Sequence, residues 1–162
     1  RRALLDIDNC TIAKDDINQQ LPLIRNEIIK KTNDYKKGAT ILMRSDYLNK
    51  FHTESKSIAK EKVGDLYFDF PAGSFFQNNP FILKEFTEHV KYEAKCVNSK
   101  YLVDAYCGAG LFALTSASNF DEVTGIEISE ESINWANKNR SINNLKNVIF
   151  HTQFMCGSYP VQ

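Results

Sequence analysis

The sequence predicts an α/β chain whose second part is the first half of a Rossmann-like, doubly wound parallel sheet. Strand-like and helical runs alternate over residues 101–151 in the order β-α-β-α-β, which is the order that builds a parallel sheet. The first of these strands leads into a glycine loop, Cys-Gly-Ala-Gly at residues 107–110. Such loops lie where open α/β sheets bind their ligands. An α+β or mainly β module is predicted to precede this sheet.

The composition argues against several classes of protein. Apolar residues make up 43% and charged residues 25% of the 162 residues, and 20 basic side chains balance 20 acidic ones. These values are not those of a disordered or fibrous chain, and no apolar run reaches the ~18 residues of a membrane span. The four cysteines and three histidines are too scattered for a zinc site or a disulfide framework. We therefore expect an intracellular protein with reduced thiols, no metal and no membrane anchor.

The texture of the sequence changes near residue 70, so residues 1–70 and residues 71–162 are predicted to form two different parts of the chain. In the first part, a helix is predicted over residues 17–31, where Ile17, Leu21, Ile24 and Ile28 recur at helical spacing. Pro22 is expected within its first turn, where a missing N–H is tolerated. Short strands are predicted over residues 3–7, 39–44, 56–62 and 66–70.

The second part has clearer local signals. Asn79 is a good N-cap and Pro80 suits the first position of a helix, whose apolar stripe comprises Phe81, Ile82, Phe86 and Val90. The alternating elements that follow are a strand over 101–106, a helix over 111–117, a strand over 123–128, a helix over 130–139 capped by Ser129, and a strand over 147–151.

The glycine loop and one acidic residue predict an adenosine-binding site. Gly108 and Gly110 let the backbone approach a ligand closely. Glu127 ends the second strand of the sheet, 17 residues after Gly110, and a carboxylate there can accept hydrogen bonds from ribose hydroxyls. This feature is shared by nicotinamide and S-adenosylmethionine folds.

Three details of the loop favour S-adenosylmethionine over a nicotinamide dinucleotide. Asp104 would repel a pyrophosphate but suits the cationic methionine part of the ligand. The third glycine of a dinucleotide motif is replaced by Ala113, and Tyr106 places a ring where its face can meet a sulfonium. The alternative interpretation is that Asp104 caps the helix and Tyr106 belongs to the core.

Gln77 is a second candidate for ligand binding. It lies between two phenylalanines and the predicted helix cap, and its amide can both donate and accept hydrogen bonds. A turn residue that bonds its own backbone is the alternative.

Together these runs resemble the RNA 5-methyluridine methyltransferases, and within them the eukaryotic tRNA (uracil-5-)-methyltransferases. The resemblance is strong over residues 70–150 and weaker before them. It rests on the following runs: Phe-Pro-Ala-Gly-Ser-Phe-Phe-Gln-Asn-Asn-Pro (70–80), Val-Asp-Ala-Tyr-Cys-Gly-Ala-Gly-Leu-Phe (103–112), Gly-Ile-Glu (125–127), and the Asn-rich segment 132–150.

The resemblance implies a class I S-adenosylmethionine methyltransferase fold, with S-adenosylmethionine as cofactor and tRNA as substrate. It implies that residues 1–70 are part of a central, RNA-facing module and that residues 71–162 are the N-terminal half of the S-adenosylmethionine-binding catalytic domain. It implies that Gln77 and Tyr106 contact the cofactor, that Glu127 holds its ribose, and that Gly108 and Gly110 shape the loop. Leu111 occupies a place that is polar in some bacterial relatives, so a polar contact from that place is in doubt.

The resemblance also implies covalent catalysis, in which a cysteine thiolate adds to C6 of uracil. The nucleophilic cysteine and the general-base glutamate are expected beyond Gln162, so no catalytic residue is assigned here. We expect the chain to be truncated, monomeric and inactive alone. Cys107 is rejected as the nucleophile because it lies inside the cofactor loop, and Cys10, Cys96 and Cys156 are expected to be buried or inert.

Two other functions stay open. The chain could be an S-adenosylmethionine methyltransferase for a protein or a small molecule, or a non-catalytic fragment that binds a nucleoside or RNA.

Overall fold

The computed structural model describes residues 7–35, 40–96 and 98–153. The α-helices are α1 (Asp15–Lys30), α2 (Leu83–Lys95), α3 (Leu111–Ser116) and α4 (Glu130–Ile142). The strands are β1 (Arg44–Ser45), β2 (Phe51–His52), β3 (Ile58–Val63), β4 (Leu66–Pro71), β5 (Tyr101–Asp104), β6 (Glu122–Glu127) and β7 (Val148–Thr152). Short 3-10 helices cover Thr32–Tyr35 and Ala117–Asn119.

The chain divides into two compact units. The first comprises the described residues up to Ala59 together with Pro71–Gly73, and the second comprises Lys60–Phe70 and the described residues from Ser74 onward. These units are defined by contacts within the chain and do not test the predicted domain boundary at residue 70, which stays a prediction.

The second unit contains the predicted parallel sheet. Strands β5, β6 and β7 lie in that order, and both pairs are parallel. Val103 of β5 is in register with Thr124 of β6, and Gly125 of β6 is in register with Phe150 of β7. The predicted β-α-β-α-β order and the Rossmann-like fold class are therefore confirmed.

Helices α3 and α4 cover one face of this sheet. Val123 and Val148 of the sheet and Ala136 of α4 are fully buried, and Leu114 of α3 is almost so. Gly125 is needed in this layer, because a Cβ at its position would lie only 2.3 Å from Cδ1 of Phe150. Aliphatic burial of this kind supplies most of the stabilisation of such a layer.

The opposite face of the sheet is exposed in the part of the chain that the structure describes. Its apolar side chains include Tyr101 (66% exposed), Val103 (60%) and Ile149 (43%). Parallel sheets ordinarily carry apolar side chains on both faces, and this one follows that rule.

Strands β3 and β4 form a two-stranded sheet whose connection is Gly64 and Asp65. Both strands were predicted within two residues of their ends. Asn143, the C-cap residue of α4, binds the backbone of Tyr67 in β4 twice, because its Oδ1 accepts from the amide at 2.8 Å and its Nδ2 donates to the carbonyl at 2.7 Å. The side-chain amide of Asn143 thus makes the two hydrogen bonds that the backbone of a neighbouring strand would otherwise make to Tyr67.

The start of α2 differs from the prediction. The helix begins at Leu83 with Ile82 as N-cap, three residues after Pro80. The Oδ1 of Asn79 accepts from the backbone N–H of Phe81 at 3.1 Å, and this local turn competes with a helical start. The predicted apolar stripe is also wrong, since Phe81 and Ile82 are 69% and 55% exposed.

The first unit contains α1 and the hairpin of β1 and β2. Pro22 lies inside α1, not in its first turn, so the prediction of its place is wrong. It is tolerated because α1 buries no residue, which leaves water free to hydrate the carbonyl that loses its partner. The strand predicted over residues 39–44 is reduced to Arg44–Ser45, and residues 3–6 of the first predicted strand lie outside the described residues.

A buried network holds the β1–β2 hairpin together. Asp46 and His52 are 1% and 2% exposed. His52 joins Asp46 Oδ2 through Nε2 at 3.2 Å and Ser57 Oγ through Nδ1 at 2.8 Å. The other oxygen of Asp46 accepts from the backbone amides of Leu48 and Lys50. Each polar group here has a partner, as buried polar groups require.

No helix among residues 7–35, 40–96 and 98–153 is both long enough and apolar enough to cross a membrane.

Candidate functional site

The glycine loop follows β5 and leads into α3. Gly108 and Gly110 have φ of +51° and +89°, a region that favours glycine. A Cβ on Gly110 would lie 2.9 Å from Cζ of Phe150 and 3.3 Å from Cβ of Ala136. A Cβ on Gly108 would meet no described atom within 4 Å. Gly110 therefore packs the loop against β7 and α4, whereas the backbone at Gly108 remains open to a ligand.

Asp104 ends β5 and faces the first turn of α3. Its Oδ2 accepts a hydrogen bond from the backbone N–H of Ala113 at 3.1 Å, and the backbone of Tyr106 also bonds to the carboxylate. Burial raises the pKa of Asp104, these two hydrogen bonds lower it, and the charge of Glu127 raises it. Asp104 therefore caps the helix, as the alternative interpretation predicted, and its contact with a ligand stays a prediction.

Glu127 ends β6 and ties the glycine loop to the start of α4. Its Oε2 accepts from the backbone N–H of Gly108 at 3.2 Å. Its Oε1 accepts from Ile128 and Ser129 at 2.8 and 3.0 Å. A carboxylate has about four lone-pair positions, so these three bonds leave about one for a ligand. The geometry therefore suits one direct bond from a ribose hydroxyl.

Tyr106 lies in the glycine loop with 81% of its surface exposed. It is therefore not a core residue, and that alternative interpretation is wrong. The ring is available to stack on a ligand or to face a cation.

Gln77 lies in a segment that is anchored to β4. The preceding Phe76 is 3% exposed, and its ring stacks on Phe70 with centroids 4.2 Å apart and an interplanar angle of 3°. Among the described residues, none hydrogen-bonds the side chain of Gln77. Its amide donor and acceptor are thus available to a ligand, and the turn alternative receives no support.

Asn139 is a residue of this region that the sequence reasoning missed. It lies on α4 and is fully buried. Its Oδ1 accepts from the backbone N–H of Asp69 at 2.8 Å, and its Nδ2 donates to the carbonyl of Ala109 in the glycine loop at 3.0 Å. The available signal was a pair of asparagines one turn apart, Asn139 at the end of the predicted helix and Asn143 after it.

The described cysteines differ in their surroundings. Cys107 is 5% exposed, and burial, together with the charges of Asp104 and Glu127, raises the pKa of its thiol to about 12. Cys96 is exposed, so of the two outcomes expected for it, buried or inert, burial does not apply. Cys156 lies outside the described residues.

A cavity of about 610 Å³ lies between the β3–β4 hairpin, α2 and α3. Lys62, Lys84 and Thr115 are among its lining residues, and none of the predicted cofactor residues lines it. Those residues lie instead at the carboxyl edge of the sheet and on the Gln77 segment. In the described part of the chain, no three His, Cys, Asp or Glu side chains are grouped to hold a metal ion.

Comparison with known proteins agrees with the resemblance drawn from the motifs. The profile of the family described as tRNA (Uracil-5-)-methyltransferase matches residues 7–153. The tRNA (uracil(54)-C(5))-methyltransferase of Schizosaccharomyces pombe is 42% identical over 161 residues, which cover 93% of this chain and 31% of that protein. The enzyme of the same name from Saccharomyces cerevisiae is 32% identical, covering 91% of this chain and 30% of its own length. The chain thus spans about a third of these relatives.

A solved structure has the same fold. It is the tRNA (uracil-54, C5)-methyltransferase of Pyrococcus abyssi in complex with S-adenosyl-L-homocysteine, with a TM-score of 0.64 and 21% identity. The match covers 92% of this chain and 49% of that one. The family profile covers most of the chain and the fission-yeast relative is similar over nearly all of it, so the chain belongs to the tRNA (uracil-5-)-methyltransferase family.

Proposed function

We propose that this chain forms the S-adenosylmethionine-binding part of a protein that methylates C5 of uracil 54 in the T loop of tRNA. The proposal rests on the arrangement of residues at the carboxyl edge of the parallel sheet. There Glu127 is bonded to Gly108 at 3.2 Å, beside an exposed Tyr106. Membership of the family and the names of its yeast members support the choice of tRNA and of uracil 54.

The residues present fit such a cofactor. Glu127 has room for one bond from a ribose hydroxyl, the ring of Tyr106 can lie against the sulfonium side of the ligand, and the amide of Gln77 is free to bond polar groups. S-adenosylmethionine would supply an electrophilic methyl group at this site. These side chains would bind and orient the cofactor. Correct positioning of two reactants can lower the activation free energy by about 7–11 kcal/mol.

The chemical step needs groups that we place elsewhere in the protein. In the proposed mechanism a cysteine thiolate adds to C6 of uracil, which makes C5 nucleophilic. The bound cofactor would then supply its methyl group to C5, its sulfur–methyl bond breaking to leave S-adenosylhomocysteine. A general base removes the proton from C5, and the thiolate leaves. Cys107 is unsuited to this role because its thiol is buried and protonated at neutral pH. The relatives are about three times as long as this chain, which leaves room for another cysteine and a glutamate.

Methyl transfer by the full-length protein tests the proposal. With S-adenosylmethionine and unmodified tRNA, we expect 5-methyluridine at position 54 and no transfer to a tRNA with cytidine there. Methylation of a protein or small molecule in place of tRNA would support the second candidate and contradict this one. Absence of transfer to any substrate, with binding of the nucleoside intact, would favour a non-catalytic binding protein.

Gln77→Ala is expected to weaken binding of S-adenosylhomocysteine by about 0.5–1.5 kcal/mol, the usual contribution of a neutral hydrogen bond. Isothermal titration calorimetry on the full-length protein measures this change. Gln19→Ala removes the same amide from an exposed position of α1 and should leave the dissociation constant unchanged. Equal affinities of the wild type and Gln77→Ala would remove Gln77 from the site.

A further inference from the structure

We propose that Asn139 is a positioning residue that sets the separation between the Gln77 segment and the glycine loop. This inference rests on the proposed function, because it treats both segments as contacts of one cofactor. Asn139 itself lies beneath the site and is not proposed to touch the ligand.

The two hydrogen bonds of Asn139 join backbone groups that are far apart in sequence. Its amide accepts from the N–H of Asp69 in β4 and donates to the carbonyl of Ala109 between the two loop glycines. The side chain is fully buried, so water cannot readily replace either bond. A single planar amide with partners on both sides holds β4 and the loop at a fixed distance.

Strand β4 carries this constraint on to Gln77. Phe68 and Phe70, which flank Asp69, both contact the ring of Phe76, with centroids 5.7 and 4.2 Å away. Gln77 follows Phe76 directly in the chain. The connection therefore runs from the glycine loop through Asn139 and β4 to Phe76, and all of it lies within the second compact unit.

Asn143, the C-cap residue of the same helix, provides a matched control. It lies one turn after Asn139 and also makes two hydrogen bonds to the backbone of β4, both of them to Tyr67. It has no bond to the glycine loop. Removal of either asparagine loosens β4 from α4, but only removal of Asn139 releases the loop.

The experiment compares Asn139→Ala with Asn143→Ala in the full-length protein. We expect Asn139→Ala to weaken binding of S-adenosylhomocysteine about threefold to tenfold more than Asn143→Ala, the range for one lost hydrogen bond. The KM for S-adenosylmethionine should rise by the same factor while the KM for tRNA is unchanged. Equal affinities of the two variants would overturn the proposal. Failure of the wild type to bind would instead reject the cofactor site itself.

A double substitution tests whether Asn139 acts on Gln77. If Asn139 holds Gln77 in place, Asn139→Ala should cost less affinity in a Gln77→Ala background than in the wild type. Strictly additive losses would contradict this connection. If Asn139→Ala does not fold, Phe76→Leu loosens the same connection from its other end, and unchanged affinity of that variant would also overturn the proposal.

Discussion

Cys107 is expected to resist alkylation at neutral pH and to form no adduct with tRNA that carries 5-fluorouridine. Its thiol has a pKa of about 12, where an unperturbed thiol would have 9.0. Since the raised pKa keeps the proton on sulfur, the thiolate population at pH 7.5 is about 1000-fold lower than for an ordinary cysteine.

The expected loss of reactivity is smaller than the loss of thiolate. A more basic thiolate is a better nucleophile, with a Brønsted coefficient of about 0.4–0.5, so part of the difference is regained. The net rate should be lower by at least about 30-fold, and burial slows the reagent further. Reactivity should increase as the pH rises towards 12, because the thiol then loses its proton.

Mass spectrometry of iodoacetamide-treated native protein measures this prediction. Cys96 is exposed and serves as the reactive control within the same chain. Unfolding in urea should make Cys107 react like Cys96. Rapid labelling of native Cys107, or a peptide that contains Cys107 cross-linked to 5-fluorouridine in tRNA, would assign to it the nucleophilic role rejected here.

The parallel sheet could be predicted from sequence because its signals are local. Short apolar runs separated by the glycine loop and by the Ser129 cap indicate the alternating elements. Ser129 indeed accepts from the N–H of Ser132 at 3.2 Å. After α4, Asn144 has a left-handed backbone conformation with φ of +54°, which asparagine adopts more readily than most residues.

The beginning of α2 could not be predicted because two local preferences compete there. Asn79 and Pro80 satisfy the rules for an N-cap and a first helical position. The same Asn79 side chain can also bond the amide two residues on, which is the bond that forms. Nothing in the sequence of this segment decides between the two.

The candidate site was predictable in its residue types but not in its connections. Glu127 and Gly108 are 19 residues apart, and Asn139 and Asp69 are 70 apart. Bonds over such separations depend on how the chain packs, which periodicity does not report. For this reason the structural role of Glu127 and the place of Asn139 emerged only from the three-dimensional arrangement.

Glu127→Ala is expected to weaken binding of S-adenosylhomocysteine by about 1.5–3 kcal/mol, because a hydrogen bond to a charged acceptor contributes about that much. This corresponds to a dissociation constant about 10- to 150-fold higher. Calorimetry on the full-length protein measures it. Glu122→Ala is the matched control, since Glu122 begins the same strand β6 and is exposed at its other end.

Loss of affinity in Glu127→Ala has two possible physical origins, because this carboxylate also holds Gly108. Two analogues of S-adenosylhomocysteine distinguish a lost ribose bond from a lost support of Gly108. The 2′-deoxy analogue tests the 2′-hydroxyl, and the 3′-deoxy analogue tests the 3′-hydroxyl. If Glu127 bonds a ribose hydroxyl, removal of that hydroxyl should cost affinity in the wild type and little in Glu127→Ala, where the acceptor is already gone. If each missing hydroxyl costs the same in both proteins, Glu127 only shapes the loop, and the ribose must be held by another group.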